Sequence, residues 1–271
     1  MLGILNGLLP LFYGAVVWSY GESFFRDTPR ANAIKTTLLT ATIGLHAAYL
    51  LARTFVFQHP PITTVFEVSS IIAFSLAIAY RTIELRTGIR NTGFFILSLA
   101  LALQVLSSLW IEDLADVKPI LRSNMLGVHV TSAMLGVSAF AISAVYGLLY
   151  LMLYHNIKRN RFGVVYEKLP SLETLERMAV TAVVVGFVLL TLAILVGIVW
   201  MLREVHEVTL FDPKPLGTLV LWVVYGVGLW GRKNFGWNGR RIMVFAISGF
   251  TISLLSLTVI NMYFTGFHNF Y

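Results

Sequence analysis

Met178-Ala179-Val180-Thr181-Ala182-Val183-Val184-Val185-Gly186-Phe187-Val188-Leu189-Leu190-Thr191-Leu192-Ala193-Ile194-Leu195-Val196-Gly197-Ile198-Val199-Trp200-Met201 contains no charged residue. As a helix rising about 1.5 Å per residue, it is long enough to cross the roughly 30 Å of hydrocarbon in a bilayer. It is apolar on every side, which suits lipid rather than a half-wetted surface. Comparable segments recur outward from it, at 3–20, 33–54, 65–81, 91–110, 126–153, 216–231 and 242–264. The third and seventh are the weakest, being short, with Glu67 at the mouth of one and Gly217, Gly226 and Gly228 within the other. Glycine is tolerated in such spans because it lets helices approach closely. The reading is an all-α integral membrane protein: a bundle of about eight transmembrane helices forming one polytopic domain over residues 1–271.

The composition agrees. Only 12% of the 271 residues are charged, about half the usual share of a soluble domain, and the mean hydropathy is +0.78. Cysteine is absent, which excludes disulfides, thiolate metal sites and cysteine-held iron–sulfur clusters. A net charge of +7 raises the question of nucleic acid, but the basic residues lie in short clusters between apolar runs, as a positive-inside bias requires. If the odd-numbered loops are cytoplasmic, fifteen of the twenty Lys and Arg fall there and five outside. Both termini are therefore expected on the external side. Residues 1–16 lack a basic leader and a cleavage site, so the first helix is expected to be retained, with no soluble domain at either end.

Trp110, Trp200 and Trp230 fall at span ends, as interface anchors do. Ser171, two residues before Glu173, is a candidate cap for the helix that runs on into the sixth span.

Placing the histidines by depth separates them. His46 lies mid-span, where a polar ring is costly unless bonded to a neighbouring helix or used as a ligand; a structural bond, a haem contact and a quinone contact are all compatible. Arg53 is two turns further along the same face. His59 stands in a stiff external loop before Glu67, an acid able to fix its tautomer. His129 and His268 sit at similar depth at the external interface, where two imidazoles can supply both axial positions of a haem iron. His155 and His206 read as surface and loop residues. No hydrolase elbow or zinc-helix histidine pair is present, so binding and presentation fit better than an enzyme acting in its own right.

Several stretches resemble the haem-handling family of cytochrome c assembly proteins, with its CcsA-type, HemX-like and YpjD-like branches. Gln58-His59-Pro60-Pro61-Ile62-Thr63-Thr64-Val65-Phe66-Glu67 is similar to an external segment of that family, and Gly127-Val128-His129-Val130 to the start of the helix bearing its first external ligand. Phe211-Asp212-Pro213-Lys214 resembles the end of its tryptophan-rich motif, followed by a span with Trp222 and Tyr225. Gly236-Trp237-Asn238-Gly239-Arg240-Arg241 resembles the turn before its last span, and His268 in Gly266-Phe267-His268 its second external ligand. His46 matches an intramembrane histidine of the family. The departures are Thr209 and Phe211 where tryptophans stand in the family, and Trp230 in place of a second intramembrane histidine. They put the chain nearer the HemX-like and YpjD-like branches.

The resemblance implies a multi-pass protein of a bacterial plasma (inner) membrane. It would bind haem non-covalently through His129 and His268 as iron ligands, with Phe211, Asp212 and Trp222 around the ring, Trp200 as a further ring contact, and His46 and Arg53 as a second contact in transit. The partners implied are haem, other cytochrome c maturation membrane proteins, apocytochrome c and the lipid bilayer, with no nucleic acid. Two alternatives stay open: a HemX-like regulator of tetrapyrrole synthesis acting through the basic 154–177 loop, and a quinone-binding or structural membrane subunit.

Overall fold

The computed structural model describes residues 2–113, 123–204 and 213–263. Among these residues every regular element is helical: α1 (Leu2–Phe25), α2 (Pro29–Phe57), α3 (Val65–Thr87), α4 (Gly93–Trp110), α5 (Asn124–Lys158), the short α6 (Val164–Lys168), α7 (Leu172–Glu204), α8 (Pro213–Phe235) and α9 (Arg240–Tyr263). Within the described residues each expected segment overlaps one of the long helices. Six of them, α1–α5 and α7, are long and apolar enough to cross a membrane, and the molecule is a multi-pass membrane protein. In α8 the glycines and tryptophans dilute the apolar run.

Local chemistry sets the ends. Pro29 opens α2 after the extended Thr28, where its missing N–H costs nothing. Gln58, in the left-handed region, closes that helix. Thr64 and Glu67 form a complete capping box at the start of α3, and Gly88, also left-handed, closes it. Ser171 Oγ accepts from the Thr174 N–H at 3.3 Å, which makes it the cap expected for α7.

The chain forms two compact units. The first comprises Met1–Asp116 and Asn156–Pro170, the second Val117–His155 and Ser171–Tyr271. In the first, α1 packs on α2 and α4, and α3 on α4 and α2. Its distribution of side chains inverts that of a soluble bundle. His46, Arg53, Glu67, Ser70, Glu84 and Gln104 are buried, while Ile4, Leu11, Leu51, Phe55 and Leu85 are exposed. Lipid solvates the apolar exterior, and polar groups must find their partners inside.

In the second unit α5 meets α7 and α9 through small residues and α8 through stacked rings. A Cβ on Gly136 would come within 3.3 Å of the Gly186 carbonyl, and one on Gly147 within 3.1 Å of Ile247. Phe140 stacks on Tyr225 with ring centroids 3.7 Å apart and planes at 4°. Val183, Leu190, Leu221 and Ala246 complete this core. Close backbone approach replaces the hydrophobic effect as the main source of helix association in lipid.

Candidate functional site

In the second unit, α5 carries His129 in its second turn, and α7 offers Ala193 and Gly197, one turn apart, on the face opposite. The His129 Nδ1 lies 2.8 Å from the Ala193 carbonyl oxygen. A carbonyl only accepts, so Nδ1 is the protonated nitrogen and Nε2 carries the lone pair. Among the described residues Nε2 has no hydrogen-bond partner. A backbone carbonyl orienting one nitrogen while the other stays available is the usual preparation of a metal-binding imidazole.

Gly197 makes this placement possible. A Cβ there would stand 2.6 Å from His129 Nδ1 and 2.8 Å from Cε1, well inside contact distance. Sequence reading missed this glycine, because nothing local ties it to a histidine on another helix. Two turns beyond Ala193 on the same face, Trp200 is 3% exposed. Its Nε1 has no hydrogen-bond partner among the described residues. It is therefore a buried ring, where interface anchoring predicted a lipid-facing one; Trp110 and Trp230, at 52% and 57% exposure, are open to the surroundings. Trp222 stacks on Phe187 at 5.3 Å and donates through Nε1 to Thr191 Oγ1 at 2.9 Å, which fixes it against α7. His268, Phe211, Asp212 and His206 lie outside the described residues.

His46 and Arg53 belong to the first unit, and both are held by the protein. Tyr13 Oη is 2.9 Å from His46 Nδ1, and Ser70 Oγ is 2.9 Å from Nε2. Ser70 gives its single proton to Gln104 Oε1 at 3.1 Å, so its oxygen accepts from Nε2–H and Tyr13 donates to Nδ1. Gln104 Nε2 donates to Ser108 Oγ at 3.0 Å, and Ser108 donates to the Asn6 carbonyl at 3.1 Å. One file of hydrogen bonds, all running the same way, thus joins α1, α2, α3 and α4.

Every guanidinium nitrogen of Arg53 is engaged: Nε with Glu67 at 2.9 Å, Nη1 with Asp113 at 2.8 Å and Nη2 with the Glu112 carbonyl at 2.6 Å. The guanidinium carbon lies 4.8 Å from the centre of the Phe57 ring. Glu67 also accepts from the Thr63 N–H at 2.8 Å and the Thr63 hydroxyl at 2.6 Å. Glu67 is thus spent on the arginine and its own helix start, and His59 turns Nδ1 to the Pro60 carbonyl at 2.9 Å. At the other end of this unit Glu84 accepts from Tyr20 at 2.9 Å and Thr36 at 3.0 Å, and pairs with Arg81 and Arg90.

Among the described residues no group of three or more His, Asp or Glu could hold a bare metal ion. A metal at His129 would need to arrive with most of its own ligands, as haem iron does.

A family model described as cytochrome C assembly protein matches residues 30–268. The protein HemX of Brevibacillus brevis is 28% identical over 258 residues, covering 89% of this chain and 93% of that one. The cytochrome c biogenesis protein CcsA of Mesostigma viride is 24% identical over 250 residues, covering 83% and 82%. That of Prochlorococcus marinus (strain AS9601) is 26% identical over 279 residues, covering 93% and 88%. With a match that runs from the start of α2 to the expected second external histidine, the chain belongs to the cytochrome c assembly protein family.

Proposed function

We propose that this chain takes part in cytochrome c biogenesis by receiving haem, as cargo, at the external face of a bacterial plasma membrane and presenting it to apocytochrome c. In this reading eight helices span the membrane with both termini outside. His129 is one axial ligand and His268 the other. Phe211, Asp212 and Trp222 border the porphyrin.

The observation that carries the reading is the 2.8 Å bond from His129 Nδ1 to the Ala193 carbonyl, which orients the ring and leaves Nε2 as a lone-pair donor. The relatives named for cytochrome c biogenesis and HemX support it. Haem supplies an iron with two axial positions and two carboxylates. His129 meets that need as a neutral imidazole, and Gly197 gives it room against α7. His46 and Arg53 are a second contact of a different kind: to take haem in transit they must exchange Ser70 and Glu67 for iron and carboxylate, so that step requires the first unit to open.

The test is a spectrum. Purified protein reconstituted with haem is expected to show a Soret band of a six-coordinate bis-imidazole iron, and His129→Ala with His268→Ala to lose both the band position and most of the bound haem. An unchanged band and unchanged haem content in the double variant would rule the assignment out.

A second reading rests on the HemX relative and on one surface. In the segment after α5, Phe162 and Tyr166 are exposed with rings 4.9 Å apart, beside exposed Arg159 and Arg161. Apolar rings rimmed by cations suit a protein partner, as a regulator of a cytoplasmic tetrapyrrole-synthesis enzyme would need. Capture of such an enzyme by the wild type and not by Phe162→Ser/Tyr166→Ser, from a preparation free of haem, would favour it.

A further inference from the structure

The turn between α8 and α9 is built with unusual care for a simple connection. Gly236 and Gly239 both take positive φ, at 61° and 53°, a region that side chains strongly disfavour. Trp237 between them lies back on α8: a Cβ on Gly231 would be 2.8 Å from its indole. The same ring sits 5.9 Å from Phe245 of α9. Glu176 of α7 accepts from the Gly239 N–H at 2.8 Å and from Arg232 at 2.9 Å. That carboxylate holds the turn and is used up in doing so.

The result is an open groove of about 740 Å³ lined by Trp237, Arg240, Arg241, Val244, Phe245 and Ser248. Arg241, Val244, Phe245 and Ser248 follow one stripe of α9 at helical spacing, so the groove runs along the helix for about two turns. Its cationic end is at the turn and its apolar walls lead toward the middle of the membrane-embedded helix. Arg240 and Arg241 are exposed, and among the described residues neither has a carboxylate partner. A shape with two free guanidinium groups at the water end and aromatic and aliphatic walls beyond it matches a ligand with a phosphate head and a hydrocarbon body.

We propose that this groove is a binding site for an anionic phospholipid, its phosphate on Arg240 and Arg241 and its acyl chains against Trp237, Val244 and Phe245. The inference does not depend on the haem-binding reading. Guanidinium forks are suited to phosphate oxygens, and basic residues at a membrane surface attract anionic lipid. Two of them correspond to a preference of roughly tenfold or more for an anionic over a zwitterionic lipid.

The experiment is native mass spectrometry of the full-length detergent-solubilised chain titrated with phosphatidylglycerol or phosphatidylcholine, for the wild type, for Arg240→Gln/Arg241→Gln, and for Arg159→Gln/Arg161→Gln. The expected result is a tightly retained phosphatidylglycerol whose preference over phosphatidylcholine collapses in the 240/241 pair and persists in the 159/161 pair. An equal loss in both pairs would reduce the effect to diffuse surface charge and overturn the site. So would an unchanged preference in the 240/241 pair. If Arg240→Gln/Arg241→Gln unfolds, Phe245→Ser is expected to weaken the same lipid, and its failure to do so would overturn the site as well.

Discussion

At position 197 any side chain would collide with the imidazole of His129, and the ring would have to leave the Ala193 carbonyl. On the proposed haem-binding reading, Gly197→Ala is therefore expected to lower haem affinity by about 10–100-fold, the usual cost of losing a partner that orients a ligand, and to leave the helical content intact. Haem titration followed at the Soret band, with circular dichroism as the control, checks this. A different outcome is expected at His46, whose two nitrogens tie α1 to α3. His46→Ala leaves Tyr13 with only its longer 3.4 Å bond to the Ala73 carbonyl and Ser70 with only Gln104, at a combined cost of about 1–3 kcal/mol. Thermal unfolding in detergent is expected to move down accordingly, while binding at His129 is retained. Of these residues, the histidines stood out in the sequence, because an imidazole in a lipid-crossing run is costly and so conspicuous. Gly197, Ser70 and Gln104 did not, because their significance comes from neighbours brought close only by folding.

Among the elements, the long helices were legible and the contacts between them were not. Uninterrupted apolar runs announce a span whatever its neighbours, and Ser171 marks a helix start by local chemistry, whereas the Thr64–Glu67 box came only with the structure. The partners of Arg53 carry no such mark: Glu67 belongs to α3, and Asp113 follows α4. Arg53 and Glu67 are almost fully buried, at 2% and 1% exposure, and among the described residues Arg53 is the one ion-pair partner of Glu67, whereas Arg53 itself also keeps Asp113. Because Arg53 keeps Asp113 and the Gln carbonyl can still accept from Nε, Glu67→Gln is expected to destabilise the first unit by only about 1–3 kcal/mol, visible as faster proteolysis between residues 58 and 64. Arg53→Met with Glu67→Leu is expected to recover much of that loss, since an apolar pair of similar volume carries no stranded charge.

At the scale of the whole molecule, the first unit sets bonded polar groups among its buried apolar side chains, and its water-facing edge is held by weaker ties. Asp27, between α1 and α2, bonds Lys168 at 2.7 Å and Asn32 at 2.8 Å. The Lys168 bond first, then Asn32, holds the Asp27 carboxyl below the usual carboxylate range. A depressed carboxylate contributes at pH values above its unfolded value and ceases to contribute as pH falls through the folded one. The α6 segment is thus expected to stay docked at neutral pH and to loosen only in acid or in high salt, and limited proteolysis of residues 156–170 across pH and salt measures it. The file from Tyr13 through His46, Ser70 and Gln104 to Ser108 bears on proton movement inside this unit. Hydroxyls and an imidazole in series pass protons readily, but a carboxamide is a poor link because it has no labile proton to hand on. Position 104 then interrupts the file as a proton relay, and Gln104→Glu is expected to set a titratable carboxyl between Ser70 and Ser108, seen as a thermal unfolding midpoint in detergent that depends more steeply on pH than that of the wild type.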